Sequence, residues 1–153
     1  MNWFFKTYKN IKISSESDDL TLEETQEKYI QHISNLYSIA ENSIDGLIVD
    51  KDIPNIDSIA STLDNYYILP NIRQVPISNF NINGRHYSVQ GNKRIKQLEQ
   101  EISMNKYIKP LIVVIDHEGQ YILEGSTRID ALYNLGIKFF PALVVIDLNH
   151  INI

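Results

Sequence analysis

Tyr121-Ile122-Leu123-Glu124-Gly125-Ser126-Thr127-Arg128-Ile129-Asp130-Ala131-Leu132 is the stretch on which the reading of this chain turns. Tyr121-Ile122-Leu123 reads as the returning arm of a hairpin, because Asp116-His117-Glu118-Gly119 ahead of it is turn chemistry. The apolar spacing then changes. Ile129, Leu132 and Leu135 recur at helical intervals, which places a helix over about 126–135. Gly136 stands where a left-handed residue would stop that helix. A strand therefore runs into Gly125 and a helix leaves it. Helix N-termini carry backbone N–H groups without intrahelical partners and a partial positive charge, so they hold anions. Gly125 lets a phosphate come close to the backbone, and Arg128 in the first turn adds a clamp that can be bidentate. The plainer reading of the same residues is an N-cap at Ser126 or Thr127, a turn glycine, and Arg128 paired with Glu124 or Asp130.

On either side of this junction the pattern is regular. Leu111-Ile112-Val113-Val114-Ile115 is a continuous apolar run, long enough for a central strand and too short for a helix. Ala142 to Ile146, after Pro141, is a second such run and reads as the last buried strand. Ile95, Leu98 and Ile102 at i, i+3 and i+7 predict an amphipathic helix at about 92–105. Ile72 to Ile77 alternates, and Pro76 puts that strand at an edge or at its own end. Asn79 to Gln90, with Gly84, reads as a polar loop. Together these predict an α+β fold: a small mixed sheet from segments near 72–77, 111–115, 120–124 and 142–146, flanked by two helices.

The first 70 residues read differently and are taken as an acidic helical extension. Thr21 and Glu24 have capping-box spacing, and Ile30, Ile33, Leu36 and Tyr37 continue at helical intervals, so a helix is expected over about 21–42. Leu47-Ile48-Val49 suits a short strand or a buried turn; Ile59, Leu63 and Tyr67 suit a short helix or an extended segment. Residues 1–70 hold 5 Lys+Arg against 12 Asp+Glu, whereas residues 71–153 hold 9 against 7, giving nets of −7 and +2. The acidic half is a poor surface for duplex DNA, whose affinity comes from neutralised phosphates, and is the expected surface for a protein partner. Seven basic residues lie between Arg73 and Lys109, opposed only by Glu99 and Glu101, a patch suited to a nucleotide. Cysteine is absent, which removes disulfides, thiolate metal sites and cysteine nucleophiles, and fits the cytoplasm. No apolar run reaches the roughly 18 residues of a membrane span, and Met1-Asn2-Trp3-Phe4-Phe5-Lys6 is not read as a secretory signal.

The order of elements from about Ile72 to Asp147, with the Gly125-Ser126-Thr127-Arg128 turn at its centre, resembles the N-terminal domain of the ParB family. That domain is similar in fold to sulfiredoxins and to a free-serine kinase. The resemblance covers about 75 residues, with residues 71–153 as the domain, and Ile122 to Leu135 carries most of it. It implies that Gly125, Ser126, Thr127 and Arg128 bind phosphate oxygens, and that Arg85 matches the family's loop arginine; His86 beside it could line the nucleotide pocket or simply face solvent. It implies a nucleotide, CTP or ATP, carried with Mg2+. Sulfiredoxin chemistry is excluded, since Ser126 stands where those proteins need cysteine. No clear counterpart of the kinase's early acidic residue stands near Ile77 to Asn83. Centromere binding is not expected, because the helix-turn-helix and dimerisation domains of partition proteins would lie beyond Ile153. The stand-alone format and AT-rich composition suggest a bacterial or phage protein.

Two functions remain open. One is a nucleotide-using phosphohydrolase, phosphotransferase or nuclease with Glu124 near the reacting centre. The other is a non-catalytic module that senses a nucleotide or meets a protein. Lys93, Arg94 and Lys96 could support an anion site or form a solvated helix face; Tyr66, Tyr67 and Tyr87 could stack on a base or simply pack. Asp116-His117-Glu118 has metal-capable side chains, in a turn where polar residues are expected anyway.

Overall fold

The computed structural model describes residues 21–80 and 89–149. Helix α1 (Leu22–Leu36) opens with the capping box that Thr21 and Glu24 predict. The Thr21 hydroxyl accepts the Glu24 N–H at 3.1 Å, and the Glu24 carboxylate accepts the Thr21 N–H at 3.2 Å. The helix stops at Leu36, six residues short of the expected end at 42, and Tyr37 is extended. The cause lies 36 residues downstream of Tyr37. Arg73, only 5% exposed, donates from Nη1 to the carbonyls of Ser34 and Tyr37 at 3.1 and 3.0 Å, and from Nε to that of Pro70 at 3.0 Å. Those carbonyls at the helix end would otherwise lack partners. Ser38 to Ala40 then run beside Ile72–Gln74, with the Gln74 N–H bonded to the Ser38 carbonyl and the Ala40 N–H to that of Ile72.

A hairpin comes next. Strands β1 (Ser43–Ile44) and β2 (Leu47–Val49) are joined by Asp45 and Gly46, both at positive φ, 50° and 82°. Two left-handed residues give the turn whose twist suits a two-residue hairpin, and Asp-Gly is its favoured pair. The chain continues through α2 (Asp57–Thr62), β3 (Tyr66–Ile68), β4 (Arg73–Pro76) and a 3-10 turn at Ile77–Asn79. Next come α3 (Val89–Asn105), β5 (Tyr107–Ile108), β6 (Leu111–Asp116), β7 (Gly119–Glu124), α4 (Ser126–Asn134) and β8 (Phe139–Asp147).

The fold is α+β, with two sheets. In the larger, β8 is central: β6 pairs with it in parallel, while β3 and β4 share its other edge, antiparallel. β7 closes the outer side of β6 as a hairpin. This explains the unbroken apolar runs. Ile112 to Ile115 and Phe140 to Ile146 are buried because strands flank them in the sheet and side chains cover both faces. Pro141 is tolerated within β8 because it lies opposite Gln74 of β4, and pairing with β6 begins only at Ala142. α3 and α4 pack against each other.

The smaller sheet corrects the expected helical extension. It has the order β1-β2-β5, with β2 parallel to β5, and β3 belongs to the main sheet. Residues 21–70 thus contribute two helices and three strands, and Tyr29, Ile33, Tyr37, Ile44, Leu47 and Ile59 share one core with Val113 and Val144. Residues 1–20, which carry part of the acidic charge, lie outside the described residues.

Candidate functional site

The junction of β7 and α4 has the predicted outline and a different cap. The pairing of β6 with β7 slips between Ile112, opposite Glu124, and Val113, opposite Ile122, which leaves a bulge at Leu123. Such a bulge bends the strand and re-aims the residues beyond it. Gly125 then takes φ 104° and is itself the N-cap of α4, with no side chain bonded across the helix start. Ser126 and Thr127 are therefore the first residues of the helix and do not cap it. The first intrahelical bond runs from the Ile129 N–H to the Gly125 carbonyl at 3.0 Å. The N–H groups of Ser126, Thr127 and Arg128 precede that bond and have no partner among the described residues. At the start of α1, by contrast, the capping box takes up the N–H of the third helical residue, Glu24, and that of Thr21 itself.

Glycine is required at 125 for a second reason. A Cβ there would lie 2.6 Å from Cγ and 3.0 Å from Cδ2 of Leu111, a side chain buried in the central strand β6. The start of α4 is thus pressed against the beginning of β6. Arg128 fastens the same contact, its Nη1 donating to the carbonyls of Lys109 at 3.0 Å and Pro110 at 3.2 Å. The expected pairing of Arg128 with Glu124 or Asp130 is not what holds it: no ion pair to either is found among the described residues. Burial lowers the Arg128 pKa from its usual value, the Glu124 carboxylate opposes that shift, and the charge of Arg94 adds to it. Glu124 is solvent-exposed at the end of β7.

Beside Arg128 lies a cleft of about 300 Å³, walled by α3, β5 and the start of α4. Arg94, Glu101, Asn105, Tyr107, Lys109 and Arg128 ring it, over a floor of Leu98, Ile102 and Ile108. The α3 members stand at 94, 98, 101, 102 and 105, the spacing of one helix face. β5 reaches the cleft because β2 holds it in parallel register, Ile48 opposite Tyr107 and Val49 opposite Ile108. The Tyr107 hydroxyl donates to Asp50 Oδ2 at 2.7 Å, and Asp50 Oδ1 accepts the Asp52 N–H at 2.8 Å. The Asp50 carboxyl is held below its usual range first by that N–H, then by the Tyr107 hydroxyl, and more weakly by Lys109.

Of the residues singled out from sequence, the structure brings Arg128 and Arg94 to this cleft. Gly125, Ser126 and Thr127 stand at the helix start without lining it, and Glu124 does not line it either. Arg85, His86 and Tyr87 lie outside the described residues. Lys93 and Lys96 face a separate shallow depression with Val89 and Asn92. Arg73 is withdrawn from the basic patch altogether, buried as the staple on α1. Tyr66 packs on the core, and Tyr67 belongs to β3 opposite Ile146. The Asp116 carboxylate is occupied by the N–H groups of Glu118 and Gly119, and His117 Nε2 lies 3.5 Å from Glu118. Lys109, Glu101, Asn105 and Tyr107 were not singled out; the signal available for the α3 pair was their 4-3-4 spacing from Arg94 through Leu98.

In comparisons with known proteins the chain matches no family model, and no curated protein matches it. Among the described residues no helix is long and apolar enough to cross a membrane.

Proposed function

We propose that this protein is a nucleotide- or phosphate-binding domain of the ParB/sulfiredoxin-like kind, holding an anion between the start of α4 and the cations of the adjoining cleft. The observation that carries this reading is the open helix start. Three N–H groups at Ser126 to Arg128 are uncapped, and Arg128 joins that helix start to a cleft which Arg94 and Lys109 also line. The N–H groups of an uncapped helix start are left to water or to an anion, and the helix dipole favours the anion. The remaining Arg128 donors, Nε and Nη2, face no acceptor among the described residues, so a phosphate can take them in bidentate fashion.

For a phosphohydrolase, phosphotransferase or nuclease, Glu124 is the carboxylate at hand to act as base or to meet Mg2+ brought in on the phosphate oxygens, whose charge the metal would neutralise. Glu124 is exposed and outside the cleft, which favours the second reading, binding without turnover. Thermal-shift titrations with inorganic phosphate, CTP and ATP, with and without Mg2+, test the site. Stabilisation that Arg128→Ala weakens is expected; stabilisation that the variant leaves untouched would overturn the assignment, and phosphate release from a bound nucleotide would restore the enzyme reading.

A further inference from the structure

The cleft beside Arg128 is not uniformly basic, and its one carboxylate sits at a definite place. Arg94 and Glu101 are seven residues apart on the same face of α3, about 10 Å along the helix axis. Arg128 lines the cleft with Arg94, whose charge is felt there, and its guanidinium is tied to the carbonyls of Lys109 and Pro110. Arg94 and Arg128 thus mark one end, and Glu101 with Asn105 lies toward the other. Opposite charges in one cleft ordinarily close on each other. Here Glu101 forms no ion pair within 4.0 Å with Arg94, Lys109 or Arg128 among the described residues, and no hydrogen bond to it is found there. An ionised carboxylate only accepts hydrogen bonds. The end of the cleft it commands therefore favours a donor or cation and repels a second anion.

Resting on the phosphate reading above, we infer that the ligand of this cleft is a small phosphomonoester whose organic part ends in an amine, its phosphate at Arg94 and Arg128 and its amine at Glu101 and Asn105. Size agrees: about 300 Å³ is at the small end of ligand pockets. Charge agrees as well. The lining carries cations for a phosphate dianion and, in Glu101, one carboxylate for the amine. Leu98, Ile102 and Ile108 offer the connecting carbons an apolar floor.

Calorimetric titration of the full chain with phosphoethanolamine, glycerol 3-phosphate, 3-phosphoglycerate and inorganic phosphate tests this. Phosphoethanolamine is expected to bind roughly fivefold to tenfold more tightly than 3-phosphoglycerate, with glycerol 3-phosphate between them, as partly exposed charge pairs allow. Glu101→Gln, at an exposed helix position, is expected to erase that order and to strengthen 3-phosphoglycerate binding. Inorganic phosphate binding with no preference among the three esters, or a preference that Glu101→Gln leaves intact, overturns this inference alone. No binding by any of the four overturns the phosphate reading together with it.

Discussion

Replacing Gly125 by alanine probes the point on which the candidate site is built. The new Cβ meets two penalties. Gly125 has φ 104°, and a left-handed backbone costs a residue with a Cβ about 1–2 kcal/mol. The Cβ also falls 2.6 Å from Leu111 Cγ, and Leu111 is 1% exposed within the central strand, so it has little room to withdraw. Overpacking of that kind costs about 1–3 kcal/mol. The entropy that alanine removes from the unfolded chain offsets about 0.4–1 kcal/mol. The net loss is roughly 3 kcal/mol, a large part of the roughly 5–15 kcal/mol that holds a domain folded. Gly136→Ala is the control. Gly136 has φ 78° but nothing within 4 Å of its Cβ position, so it bears only the backbone penalty, net about 0.5–1 kcal/mol. In thermal unfolding, Gly125→Ala should melt about 4–8 °C below Gly136→Ala, at roughly 2–4 °C per kcal/mol for a chain of this size. Equal melting temperatures for the two variants would refute the claim that α4 starts against Leu111.

Other perturbations test the same geometry. Arg73→Met keeps the apolar stem but strands the carbonyls of Ser34, Tyr37 and Pro70; urea unfolding should show a loss of about 3 kcal/mol or more. Arg73→Lys should recover little of it, since one ammonium cannot reproduce the fork. Tyr107→Phe should move the Asp50 carboxyl back up toward its usual range, as read by carbon NMR across a pH titration. Asp50 is lowered and Tyr107 raised in the fold. Their bond is therefore fully present above the ordinary Asp value near 3.9 and below the ordinary Tyr value near 10, and is lost beyond either limit. An Asp50 titration unchanged in Tyr107→Phe would contradict the link.

The sequence exposed some of this design and concealed the rest, for physical reasons. The runs at Leu111–Ile115 and Ala142–Ile146 were legible because strands covered on both faces need no polar alternation. Gly136, at φ 78°, was legible as the end of α4 because few other residues accept that backbone. β1 and β3 span only two or three residues each, too few for any periodicity to register, whereas the apolar run Leu47-Ile48-Val49 did mark β2. Asp45-Gly46 was a usable hairpin signal, but the helical spacing before it drew the expected helix across Tyr37. The stop at Leu36 depends on Arg73, and no local pattern reports a partner so far along the chain. The site divides in the same way. Gly125 and Arg128 stand out as residue types, whereas the Lys109 and Pro110 carbonyls that hold Arg128 exist only in the fold.

The central claim is that an anion is held by the open start of α4. Titration of the ¹⁵N-labelled chain with inorganic phosphate reads those N–H groups directly. The account predicts saturable shifts of the Ser126, Thr127 and Arg128 amides, accompanied by Arg94 and Lys109, and abolished at high salt. Saturable binding that moves other amides while Ser126 to Arg128 stay fixed would contradict it, as would no binding at all.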